Sequence, residues 1–130
     1  MGATPLRVLV VDDDAETLDL LSEVLKAQGH QVLAAPSGNA AIAGVDDATR
    51  PFHVAVVDWT MAGISGKDVI DYMRHASPAT LCVIATGHTE GMVPDAYRQG
   101  NVVRILRKPF SLRNVAGAIA QVGRQARGLV

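Results

Sequence analysis

The sequence predicts a doubly wound α/β domain, a parallel sheet with helices on both faces, and three observations predict it. Short apolar runs of strand length alternate with stretches of helical periodicity along the whole chain. The runs are apolar at successive positions, as strands buried on both faces of a parallel sheet must be. Three of them end abruptly on charge: Val8-Leu9-Val10-Val11 on Asp12-Asp13-Asp14, Val54-Ala55-Val56-Val57 on Asp58, and Ile105-Leu106-Arg107 on Lys108-Pro109. Ligands of open α/β sheets bind at the carboxyl ends of the strands. The charged tips therefore mark the expected site.

The elements follow in order. Residues 1–5 are a loose lead-in, and 7–11 form the first strand. Asp14 is placed to cap a helix over 15–28, with Leu18, Leu21 and Leu25 on its apolar face and Gly29 closing it. Residues 31–35 make a second, weaker strand. Ser37 caps a short alanine-rich helix to about Val45, and polar residues 46–51 turn the chain into a central strand, 53–57, that delivers Asp58. A third helix over 67–75 carries Val69, Ile70 and Met73 on one side and breaks at Ser77-Pro78. Residues 81–85 are a fourth strand ending on Thr86-Gly87. Pro94 begins a short fourth helix that stops near Gly100. Residues 102–107 are the fifth strand, and Ser111 caps a last helix to about Arg127. Five strand–helix units with right-handed crossovers leave a parallel sheet covered on both faces.

A chain of 130 residues with 48% hydrophobic content is one globular domain over 1–130, with an ordered core from about 6 to 127. A net charge of −1 gives no electrostatic reason to expect nucleic acid or an anionic membrane. One cysteine cannot form an internal disulfide, and no leader or membrane-length apolar stretch is present, so a cytoplasmic location is expected.

Asp12, Asp13 and Asp58 converge on one crevice in this arrangement. Two carboxylates ~5 Å apart repel by roughly 3 kcal/mol at an effective dielectric near 20. Either a pKa rises or a divalent cation sits among them. No histidine or cysteine lies on these strand tips, and an all-oxygen set with few protein ligands suits Mg²⁺ completed by water and phosphate. Lys108 adds a point charge for an anion and Thr86 a hydroxyl. A carboxylate nucleophile, Mg²⁺, a lysine and a hydroxyl together describe phosphoryl transfer onto an aspartate.

The set VVDDD at 10–14, VVDWTMAGISG at 56–66, Thr86-Gly87 and Lys108-Pro109-Phe110 resembles the receiver domain of two-component response regulators, in order and spacing, over nearly the whole chain. The resemblance implies a five-stranded, flavodoxin-like sheet in the order 2-1-3-4-5. It implies that Asp58 is the phosphoacceptor, that Asp13 and Asp58 ligate Mg²⁺, that Asp12 acts mainly through water, and that the Thr60 carbonyl completes the ligands. Lys108 then binds the phosphoryl group, its bond to Pro109 is cis, and Thr86 turns toward the phosphoryl oxygens on activation. The implied donor is a phosphohistidine on a sensor histidine kinase or histidine phosphotransfer protein. Phosphorylation would reshape the nearby loops and the face around the fourth helix and fifth strand.

Three positions depart from the family pattern. Ile105 stands where an aromatic residue is usual, which implies a muted switch or one read out by loop movement. Ala62 replaces a proline and loosens the loop over 61–66. Val103-Arg104 replaces an acidic pair that helps DNA-binding members dimerise, and Arg98, Arg104, Arg107 and Arg113 make that surface basic. A monomer or weak dimer is expected.

Other residues admit two readings. His88 either tunes attack of water on the phosphoaspartate or is an ordinary loop residue, and the Thr60 side chain has a similar second role. Leu20 and Val24 either widen the core stripe of the first helix or form a kinase-docking face. Cys82 is inert core, Trp59 a half-exposed neighbour of the site, and His30, His53 and His75 are structural or exposed. A phosphorylation-independent interaction module and an aspartate-nucleophile phosphohydrolase on Asp12 and Asp14 are the alternatives. The hydrolase usually wants threonine or valine where Glu16 stands. No glycine-rich nucleotide loop is present. With no output domain after the last helix, the chain is a stand-alone regulator or a receiver from a longer protein such as a hybrid kinase.

Overall fold

The computed structural model describes residues 5–87 and 93–126. Five parallel strands, β1 (Arg7–Val11), β2 (Gln31–Ala35), β3 (Val54–Asp58), β4 (Leu81–Thr86) and β5 (Val102–Arg107), form one sheet in the order β2-β1-β3-β4-β5. Four α-helices cover it: α1 (Ala15–Ala27), α2 (Gly38–Asp47), α3 (Gly66–Ala76) and α4 (Leu112–Ala126).

Strand alternation divides the interior into two layers. Val8, Val10, Val54, Val56 and Val83 point toward α1 and α4, where they meet Leu18, Leu21, Leu25, Val115, Ile119 and Val122. Leu9, Val11, Ala55, Val57, Cys82 and Ile84 point the other way, onto Ala41, Val69, Ile70 and Met73. Because side chains alternate with a period of two, every residue of the central strands must be apolar until the strand ends. The first polar position is then forced to the rim, which is where Asp12 and Asp58 stand.

The helix starts use the caps that the sequence offers. Asp14 accepts from Thr17 N, Ser37 from Ala40 N, and Ser65 from Asp68 N, with Asp68 returning the bond in a capping box. Ser111 Oγ accepts from Asn114 N at 3.1 Å. Gly29, at φ 95°, ends α1 in the left-handed conformation that favours glycine.

One expected element is different. The stretch from Pro94 to Gly100 is not an α-helix but a single 3₁₀ turn, Asp95–Tyr97. Five residues between Pro94 and Gly100 offer too few hydrogen bonds to offset the cost of helix nucleation. The turn is instead held by Arg74 of α3, whose Nη2 donates to Ala96 O and Gln99 O at 2.8 and 3.0 Å. Smaller shifts are that β3 starts at Val54 rather than His53, α2 continues to Asp47, and Thr86 belongs to β4. His30 and His53 are structural: their Nδ1 atoms accept from Leu6 N and Arg7 N at the start of β1.

Candidate functional site

The strand tips are kept level by hydrogen bonds that extend the ladders one step. Asp12 N donates to Ala35 O at 3.2 Å, Trp59 N to Ala85 O at 2.8 Å, and Lys108 N to Thr86 O at 2.7 Å. Asp12, Asp13 and Asp58 each contribute a carboxylate oxygen to one group, and these atoms lie within 4.8 Å of one another. Asp12 and Asp58 are buried, whereas Asp13 faces solvent.

Lys108, from beyond β5, bridges the two buried acids. Its Nζ lies 2.8 Å from Asp12 Oδ2 and 3.5 Å from Asp58 Oδ2. The Lys108–Pro109 peptide is cis. The remaining carboxylate oxygens take backbone donors: Asp12 Oδ1 from Asp14 N at 2.9 Å, Asp58 Oδ1 from Thr60 N at 3.2 Å, and Asp13 Oδ2 from Ala62 N at 3.1 Å. The last of these fastens the loop after β3 to the acidic tip of β1. Ala62 serves by its N–H, the one group that the proline usual at this position lacks.

The charges do not balance. Burial, and then the neighbouring charge of Asp12, push the Asp58 carboxyl up to about 6, although Lys108 and the Thr60 N–H pull the other way. Burial works against the Lys108 ammonium, but its hydrogen bond to Asp12 and the charges of Asp58 and Asp12 outweigh it, and the net shift is upward. Three carboxylates around one ammonium leave an excess of negative charge on hard oxygen donors. That donor set fits a small divalent cation such as Mg²⁺.

Thr86 is fully buried at the end of β4, one residue past Ala85, the register partner of Asp58. Thr60 is exposed. The structure thus brings Asp12, Asp13, Asp58 and Lys108 into mutual reach, puts Thr60 against Asp58 through its N–H, and sets Thr86 on the adjacent strand. His88 lies outside the described residues. Asp14 is engaged as the cap of α1, and Thr17 holds its pKa below the usual carboxylate range. It therefore has a structural task in place of the second acid of a hydrolase motif. Cys82 is buried and its thiol is pushed up to about 12, mainly by desolvation, which makes it unreactive core.

A family comparison decides the kinship. The family described as the response regulator receiver domain matches residues 8–120. The chain belongs to that family. The receiver is similar to the sensor histidine kinase GacS of Pseudomonas protegens, 31% identical over 119 residues that make 87% of this chain and 13% of that protein. It is similar also to the uncharacterized transcriptional regulatory protein YrkP of Bacillus subtilis, 32% identical over 126 residues, 91% of this chain and 50% of that one. It spans half or less of the length of these two relatives. A CheY-like receiver domain from Methanospirillum hungatei shares the fold at a TM-score of 0.87, with 19% identity over 96% of this chain and 98% of that one. Among the described residues no helix is long and apolar enough to cross a membrane.

Sequence reasoning gave Gly66 no role. A Cβ there would collide with the backbone oxygen of Asp58 and lie 2.7 Å from Trp59 Cα, so only glycine lets α3 start against the tip of β3. The signal was a glycine directly after a capping serine, just downstream of the acidic tip.

Removing the lysine tests the electrostatic account of the site. Lys108→Met is expected to lose about 2–4 kcal/mol in metal-free buffer at neutral pH, because two buried carboxylates then face each other unpaired. Urea unfolding measures it. Wild-type stability in this variant would mean that Lys108 does not offset the acids.

Proposed function

We propose that the receiver accepts a phosphoryl group on Asp58 from a phosphohistidine of a sensor histidine kinase or histidine phosphotransfer protein, and that the modification switches partner binding. The observation that carries this is a buried carboxylate at a strand tip, flanked by two further acids and contacted by a lysine. An Asp58 oxygen attacks phosphorus, the P–N bond to the donor imidazole breaks, and the imidazole keeps the electron pair and takes a proton. An acyl phosphate on Asp58 and a neutral histidine result.

Asp13 and Asp58, with Asp12 through water and the Thr60 carbonyl, are the residues that would hold Mg²⁺. When bound, the ion neutralises charge on the phosphoryl oxygens. Lys108 exchanges part of its contact with Asp12 and Asp58 for those oxygens, and the Thr86 hydroxyl supplies a further donor. Thr60 is exposed and its N–H donates to Asp58, which supports a role for its side chain in the attack of water on the product. On this reading the chain catalyses only its own phosphorylation and dephosphorylation, in the cytoplasm.

A surface beside the site supports the donor's approach. A cavity of about 490 Å³ lies between α1 and the β5–α4 connection, lined by Leu20, Leu21, Lys108, Pro109, Phe110 and Leu112 among others. Leu20 and Leu112 are 49% and 39% exposed. Leu20 therefore does not widen the core stripe of α1, and it supports a docking face for the donor protein.

The test is the intact mass after incubation with acetyl phosphate. The expected result is one added phosphoryl group on the Asp58 peptide in Mg²⁺ and none in chelator. No adduct with Mg²⁺ present, at a concentration where divalent binding is demonstrated by Trp59 fluorescence, would refute autophosphorylation from a small donor. Absence of both adduct and divalent binding would leave an interaction module.

A further inference from the structure

Tyr97 ties the neighbour of the phosphoacceptor to α3. Its ring centroid lies 5.4 Å from that of Trp59, the planes tilted by 60°. Its hydroxyl donates to Asp71 Oδ1 at 2.7 Å. Two cations of α3 approach the same ring, the Arg74 guanidinium carbon at 5.1 Å and Lys67 Nζ at 5.5 Å from the centroid, within range of cation–π attraction. Lys67 also pairs with Asp71 at 3.3 Å, and Arg74 Nε donates to Asn101 Oδ1 at 3.0 Å. The 3₁₀ turn is thus strapped to α3 through one phenol and one guanidinium.

The strap lies where a charge at Asp58 would be felt. Trp59 follows Asp58 directly, and its carbonyl accepts from Gly66 N, the first residue of α3, at 3.2 Å. The chain reaches the turn from Thr86 and Gly87 and leaves it into β5, which ends beside Lys108. Both groups proposed to close on the phosphoryl oxygens therefore sit on segments that flank the turn. Phosphorylation adds roughly −1.5 to −2 charge at Asp58. That charge lies one residue from Trp59, whose ring meets Tyr97 of the turn. Ile105 is partly buried against the same apolar layer as Trp59 and Tyr97; it fills space but has no polar atom to exchange partners.

Resting on the phosphoacceptor reading of Asp58, we infer that Tyr97 is the coupling residue of this receiver. Its contacts with Trp59 and Asp71 lock the turn onto α3 in the unphosphorylated state, and phosphorylation releases the lock, freeing the turn from α3. Coupling is reciprocal: if the phosphoryl group weakens the lock, a weakened lock favours the phosphoryl group by the same factor.

Tyr97→Phe and Asp71→Ala remove the same hydroxyl–carboxylate bond from its two ends, and both keep an aromatic ring beside Trp59. Beryllofluoride with Mg²⁺, a mimic of the bound phosphoryl group, is titrated by the fluorescence of Trp59, the single tryptophan of the chain. Each variant is expected to lower the half-saturating concentration about threefold to tenfold, and the double variant no further. Wild-type half-saturation in both variants overturns the coupling, as does a shift in only one of them. The intact-mass adduct, measured on the same samples, separates the two failures. If wild type and variants all take the adduct, only the coupling falls. If wild type takes no adduct and its Trp59 fluorescence shows no binding of beryllofluoride with Mg²⁺, the phosphoacceptor reading falls and the coupling with it.

Discussion

Asp58→Asn is expected to take no phosphoryl group, yet to be more stable than the wild type by about 1–3 kcal/mol in chelator at pH 7. The first effect follows because the amide oxygen is too weak a nucleophile to replace the carboxylate. The second comes from the environment of that carboxylate. Asp58 is 6% exposed, and burial, with the charge of Asp12 second, raises its carboxyl from 3.8 to about 6. The folded state then holds its proton more tightly than the unfolded chain does. Between those two values it carries more bound protons, so stability falls as pH rises through the window and levels off above it. The asparagine variant has no charge to desolvate, while Lys108 and the Thr60 N–H can still donate to its oxygen. The gap between the proteins should therefore be near zero below about pH 4 and fully open above about pH 6. Millimolar Mg²⁺ should narrow it, since an ion bound only by the folded state stabilises the wild type. Urea unfolding from pH 4 to 8, with and without Mg²⁺, measures all of this. A variant less stable than the wild type at pH 7 in chelator would contradict the account. The expected result describes a site where stability is surrendered for chemistry.

That conflict is also why so much of the site was legible in the sequence. An apolar run that ends on a charge breaks the local rule of burial, and three such breaks at strand tips can be joined once the parallel order of the strands is known. The alternation of β1, β3 and β4 between two layers is equally local, since it needs only the period of two. What the sequence did not disclose depends on distance. Tyr97 and Trp59 are far apart in the chain, and nothing in either neighbourhood announces their contact. The same is true of Arg74, whose donors to Ala96 and Gln99 make a 3₁₀ turn where Pro94 and Gly100 had suggested a helix. Leu20 lies beside Leu21 in a helix whose apolar stripe is broad, yet one is exposed and the other buried.

Two glycine-to-alanine substitutions should move stability in opposite directions, and the contrast isolates what positions Asp58. Gly66 opens α3 with its N–H on Trp59 O. An added methyl would meet the carbonyl oxygen of Asp58, Trp59 Cα at 2.7 Å and the Asp58 carbonyl carbon at 3.0 Å. All three belong to the backbone, so no side-chain rotation relieves the overlap. Either α3 or the tip of β3 must shift. Gly66→Ala is expected to cost about 2–4 kcal/mol, at or slightly above the usual range for overpacking because rigid backbone is displaced. It should also slow phosphorylation, since a shift of about 1 Å in the nucleophile can cost on the order of a hundredfold. Gly117 lies within α4, and a methyl there meets nothing within 4 Å. Gly117→Ala should gain about 0.5–1 kcal/mol from helix propensity alone and leave phosphorylation unchanged. Denaturant midpoints and acetyl phosphate labelling of both variants give the comparison. If Gly66→Ala kept wild-type stability and labelling, the close approach of α3 would not be what fixes the acceptor. If both variants lost stability, the effect would lie in helix packing generally. The expected opposite signs would show that the acceptor is aimed by one backbone contact, Gly66 against the tip of β3, which no side chain at that position can replace.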